Sequence, residues 1–160
     1  MKKVSIFVDV QNIYYTTREQ YQCHFDYNAF WKAATHGREV IHAFAYAIHR
    51  GSEKQRQFQN ILRGIGFEVK LKPFIQRSDG SAKGDWDVGI TLDVMEYAAE
   101  SDVIVLASGD GDFDMLLDRA GEKYQLETEV YGVPGLTAAS LIQSATKFIA
   151  IEEPLLLHNS

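Results

Sequence analysis

VSIFVDVQN, residues 4–12, decides the fold. Four of its first five residues are apolar, and Asp9 stands directly behind them. A run this short and this continuously apolar fits a strand covered on both faces, the habit of parallel sheets whose crossovers lie on both sides. VIVLAS (103–108) has the same character, and further β-rich runs occur at 40–47, 67–74, 128–133 and 147–151. Helix-like segments alternate with them. Residues 26–35 follow an Asp26 cap and bury Phe30 and Trp31; residues 52–65 follow a Ser52 cap and align Phe58, Ile61, Leu62 and Ile65 on one stripe. Residues 86–99, 112–124 and 136–146 supply three more. Strands alternating with helices imply right-handed crossovers and a three-layer α/β/α sandwich around a mostly parallel sheet.

With 160 residues and 46% hydrophobic content, one compact domain is expected, over residues 1–151, with 152–160 as a tail whose Leu155–Leu157 pack on the body or on a partner. Cys23 is the sole cysteine, which excludes an internal disulfide and a cysteine-built zinc cage and fits a reducing, cytoplasmic setting. The apolar start is broken by Asp9, Gln11 and Asn12 before a signal-peptide core is complete, and no later stretch reaches the roughly 18 apolar residues of a membrane span. A net charge of −6 argues against broad nucleic-acid affinity. The charge is nevertheless segregated: residues 49–83 carry eight Lys/Arg against three acids, a net +5, and residues 85–129 carry two against thirteen, a net −11. A basic rim beside an acidic, metal-binding centre would divide labour in this way; solvated helix faces of opposite sign would give the same count.

In an open parallel sheet the site lies where strands end and helices begin. Three acidic motifs fall there: Asp9 in FVDVQN with Asn12 three residues on, Asp110 and Asp112 in ASGDGDF, and Asp85 and Asp87 in KGDWDVGITLD. Gly109 and Gly111 are expected to let the backbone turn tightly. Asp9 carries most weight, because a carboxylate closing a central strand is costly to bury without a partner. Asp112 fits a helix N-cap as well as a ligand, and Asp85 fits a cap or a solvated residue better than a ligand. Asp93, six residues past Asp87, lies about 9 Å further along a helix and suits an outer or second-ion position. Carboxylates crowded in this way call for a cation, and hard oxygen donors without a histidine cluster favour Mg²⁺ or Mn²⁺. The five histidines, His24, His36, His42, His49 and His158, lack metal-ligand spacing and are read as structural. Lys83 is placed to meet a phosphate. Tyr14, Tyr15 and Trp86 flank the acidic motifs, where packing is the simpler role and base stacking the alternative.

From FVDVQN through KGDWDVGITLDV to ASGDGDFDMLL, the chain resembles the LabA-like branch of the NYN domain, within the PIN-like nuclease superfamily. The resemblance aligns Asp9 and Asn12, then Lys83, Gly84, Asp87 and Asp93, then Ser108, Gly109, Asp110, Asp112 and Phe113 with the family's motifs. It implies a Rossmann-like PIN fold and a metal-dependent ribonuclease. Catalytic and metal-binding roles fall to Asp9, Asp87, Asp110 and Asp112, with Asp93 as a further metal ligand. Substrate contacts fall to Asn12, Lys83 and Ser108, and RNA is the implied partner. A regulatory RNA-binding module without turnover is the alternative. A haloacid-dehalogenase-type phosphatase would want a second carboxylate two residues after Asp9, where Gln11 stands. Whether two copies form a homodimer the sequence leaves open.

Overall fold

A computed structural model describes residues 1–158 apart from 74, 77–81 and 84, and apart from the side chains of 73, 75, 76, 82 and 83. Six parallel strands form the central sheet: β1 (Lys2–Asp9), β3 (Arg38–His49), β4 (Glu68–Pro73), β7 (Val103–Ala107), β8 (Glu127–Gly132) and β9 (Lys147–Ala150). Their spatial order is β4-β3-β1-β7-β8-β9. The chain builds outward from β1 to β4, then returns to the other side of β1 and builds outward again. That reversal leaves a crevice between the carboxyl ends of β1 and β7, the usual ligand position in doubly wound sheets. Two short pairs lie outside this sheet: β2 (His24–Phe25) with β10 (Leu156–Leu157), and β5 (Ile75–Gln76) with β6 (Ala82–Lys83). All six long strands fall on the β-rich runs of the sequence.

Alternation along β1 distributes the core. Val4, Ile6 and Val8 pack on one face, with helices α1 (Val10–Tyr21), α2 (Tyr27–Thr35) and α3 (Glu53–Ile65). Phe7 packs on the other face, with α4 (Asp87–Ala98), α5 (Asp114–Tyr124) and α6 (Ala139–Ser144). Burying a side chain of this size contributes about 1.5–3 kcal/mol, and both faces of β1 are dry. Polar groups in the core are matched: Ser5 and Ser101 share a 2.7 Å hydrogen bond, and Arg38 holds Glu129 through two bonds of 2.9 and 2.6 Å. The three-layer α/β/α expectation is borne out. Among the described residues no helix is long and apolar enough to cross a membrane.

Two expectations need correction. Residues after Asp9 form the helix α1, a segment absent from the helix-like stretches read from the sequence. The segment VQNIYYTTREQY is rich in β-branched and aromatic residues of modest helix propensity; burial of Val10, Ile13 and Thr17 along one stripe holds it helical. The chain does turn tightly here, in the 3₁₀ turn Gly111–Phe113, but neither Gly109 nor Gly111 takes a positive φ. They permit close approach instead: a Cβ on Gly109 would stand 2.5 Å from the Leu136 carbonyl oxygen, and one on Gly111 would stand 2.8 Å from the Ala138 Cβ. In the last described residues, Leu155 and Leu156 are buried and the Leu155 carbonyl accepts from the Asp26 N–H at 2.8 Å, so this segment packs on the body.

Candidate metal centre at the carboxyl ends of the strands

Parallel pairing brings the site together. Val8 sits opposite Ala107, so the chain leaves β1 at Asp9 beside the point where it leaves β7 at Ser108. Both strands then turn toward the same crevice. Asp9 is only 8% exposed and accepts two hydrogen bonds, from the Asn12 N–H at 3.4 Å as the cap of α1 and from the Ser108 hydroxyl at 3.0 Å. Ser108 in turn accepts from the Asp110 N–H at 3.2 Å, and the Asn12 side-chain oxygen accepts from the Gly109 N–H at 2.8 Å. These bonds tie the start of α1 to the loop after β7 and fix their relative height.

The ligand-capable cluster is Asp87, Asp110 and Asp112, each offering a carboxylate oxygen within 4.8 Å of the others. Asp87 arrives on the first turn of α4. Asp110, not Asp112, is the capping residue of the 3₁₀ turn Gly111–Phe113; it accepts from the Asp112 N–H at 2.9 Å. The cap reading of Asp112 therefore passes to its neighbour, and Asp112 presents an exposed carboxylate to the cluster.

The electrostatics show the strain of assembling like charges. Burial chiefly, and then the charge of Asp110 together with its hydrogen bond, push Asp87 up to about 7, with Asp85 and Asp9 adding to the effect. Asp9 rises to about 6, because burial outweighs the two hydrogen bonds that favour its charged form. Such carboxyls hold protons near neutrality unless a cation replaces them. The donor set is all oxygen and contains no histidine, which fits Mg²⁺ or Mn²⁺. Asp87, Asp110 and Asp112 would hold the ion; Asp9, expected as a fourth ligand, does not join this cluster, its oxygens accepting from the Asn12 N–H and the Ser108 hydroxyl.

Asp93 is placed elsewhere. One of its oxygens accepts from Lys70 Nζ at 2.6 Å and from the Tyr46 hydroxyl at 2.8 Å, and it does not join the three-carboxylate cluster. The second-ion expectation for Asp93 thus meets an ion pair, formed because β4 places Lys70 over the buried Phe44 and Tyr46 rings. Sequence spacing offers no signal for this partner, which comes from a different strand. Asp85 is exposed and touches the Asp87 N–H at 3.4 Å, as a solvated residue would. Trp86 is a packing residue: its indole N–H donates to the Ala47 carbonyl at 2.9 Å, and its ring lies 5.3 Å from that of Tyr46. The side chain of Lys83 and the whole of Gly84 lie outside the described residues.

A family model for the NYN domain matches residues 3–152. The chain belongs to the NYN family. This NYN domain is 26% identical over 159 residues to the low amplitude and bright protein LabA of Synechococcus elongatus, covering 94% of this chain and 84% of that one. It is also similar to a crystal structure of a protein of unknown function from Vibrio parahaemolyticus, with 58% identity and a TM-score of 0.94, covering 98% and 96% of the two chains. The LabA-like resemblance read from the motifs therefore holds along the chain. An NYN domain of the PIN-like superfamily with an acidic cluster at the strand ends has the makings of a nuclease-like or regulatory protein.

Proposed function

We propose that this NYN domain is a metal-dependent ribonuclease that hydrolyses RNA phosphodiester bonds at the aspartate cluster. The observation that carries the reading is the convergence of Asp87, Asp110 and Asp112 in the β1/β7 crevice, with Asp87 raised to about 7. A bound Mg²⁺ or Mn²⁺ ion would supply positive charge for the phosphoryl oxygens and lower the pKa of a water. The protein's own residues do the positioning. Asp87, on α4, and Asp110 and Asp112, after β7, would hold the ion from two separate elements. Ser108 and Asn12 secure the second of these against the end of β1, through Asp9 and the Gly109 N–H. Asp9, buried and fixed by two donors, faces the reaction from the β1 side and aids orientation of the attacking water.

The test is cleavage of a labelled single-stranded RNA by the purified chain with Mg²⁺ or Mn²⁺. Activity that needs the ion and disappears in Asp9→Asn and Asp110→Asn, both still folded, is the expected result. Folded protein that binds RNA yet cuts none under either ion would leave a regulatory RNA-binding module. Release of phosphate from small monoesters, with RNA untouched, would favour phosphatase chemistry.

A further inference from the structure

A groove of about 750 Å³ opens between α1, α3 and the β2–β10 pair. It borders the end of β1, which carries Asp9. Its lining includes Val10 and Gln11, directly after Asp9, and Ala47, directly after the Tyr46 that pairs with Asp9 across β1 and β3. Tyr14 and Tyr15 stand five and six residues along α1 from Asp9, about 8–9 Å at 1.5 Å per residue. They are 41% and 51% exposed. Tyr14 stacks near His24, with centroids 6.3 Å apart and planes at 27°, and Arg18 donates to its hydroxyl at 3.2 Å.

Charge sets the occupant. In a chain of net charge −6, the groove's described lining carries Arg18, Arg50 and Lys54 and no Asp or Glu. Exposed aromatic faces beside cations, with no acid among them, match a single strand of nucleic acid, whose bases stack while its phosphates meet the positive groups. We propose that this groove is the track for single-stranded RNA leading into the aspartate site, with bases on Tyr14, Tyr15 and His24 and phosphates on Arg18 and Lys54. The proposal rests on the ribonuclease reading for its substrate class only.

Binding is measured without cleavage, by fluorescence anisotropy of the full chain with a labelled oligouridylate of about ten nucleotides in EDTA. The parent chain binds, and Tyr15→Ala weakens binding roughly tenfold, the order expected for one lost stacking partner. Tyr15→Trp restores it. Lys54→Glu weakens binding at low salt and reduces the slope of log affinity against log salt by about one. Lys123→Glu, on the opposite face of the sheet, changes nothing. Tyr15 is exposed, so its variants should melt as the parent does. The proposal is overturned if the parent binds no RNA, if the folded Tyr15 and Lys54 variants bind as tightly as the parent, or if sedimentation finds a dimer that Tyr15→Ala dissociates. A chain that binds through this groove but never cuts overturns the ribonuclease reading alone. One that cuts while its Tyr15→Ala variant keeps the parental KM overturns the groove alone.

Discussion

Replacing Asp9 with Asn should make the metal-free protein more stable at pH 8 while abolishing cleavage. Burial raises the Asp9 carboxyl from 3.8 to about 6. A shift of about two units, at 1.36 kcal/mol each, amounts to ~3 kcal/mol. The folded state binds the proton more tightly than the unfolded one. The corresponding stability is fully present below pH 3.8, is lost as the pH rises through about 6, and is absent at pH 8. An Asn carries no such penalty. It does replace one acceptor by an amide donor facing the Asn12 N–H or the Ser108 hydroxyl, at a cost of ~1–2 kcal/mol. The net gain at pH 8 is ~1–2 kcal/mol, and at roughly 2–4 °C per kcal/mol for a domain of this size the Tm rises by about 2–8 °C. Thermal melts by circular dichroism in EDTA, from pH 4 to 8, measure it. The advantage should shrink on acidification, change sign near pH 5, and be fully reversed only well below pH 3.8, where Asp9 is neutral in both states of the parent. A variant less stable than its parent at pH 8, or an advantage that does not vary with pH, would refute the reasoning.

Added Mn²⁺ should raise the parent's Tm by an amount that corresponds to about 2.7 kcal/mol at one hundred times the dissociation constant, and Asp110→Asn should remove most of that shift. Asp93→Asn should leave Mn²⁺ affinity within about twofold, measured by calorimetry, because its partners are Lys70 and Tyr46; the same change should lower stability in a denaturant melt by ~1–2 kcal/mol. Gly109→Ala forces a Cβ against the Leu136 carbonyl, and should cut turnover at least tenfold while the protein stays folded, by displacing Asp110 and Asp112 from Asp87. Arg38→Met leaves Glu129 buried without its cation and should cost about 3 kcal/mol in a urea titration.

Periodicity and strand-end motifs made much of this protein legible before any coordinates. The apolar runs at 4–8 and 103–108 announced the two central strands, because a strand covered on both faces must be apolar throughout. Asp9, Asp110 and Asp112 could be placed at one edge because parallel strands deliver their carboxyl ends to the same side. The helix α1 was not legible, since its residues have poor intrinsic propensity and its stability comes from burial against the sheet. Nor was the role of Gly109 and Gly111, which depends on a loop some twenty-five residues further on. Asp93 shows the same limit most plainly. Its spacing from Asp87 permitted a metal role, and only the placement of Lys70 by a neighbouring strand assigned it to an ion pair. Local sequence determines which side chains reach the edge; the proton affinity and partner of each depend on charges and burial contributed by distant strands, and those exist only once the chain has folded.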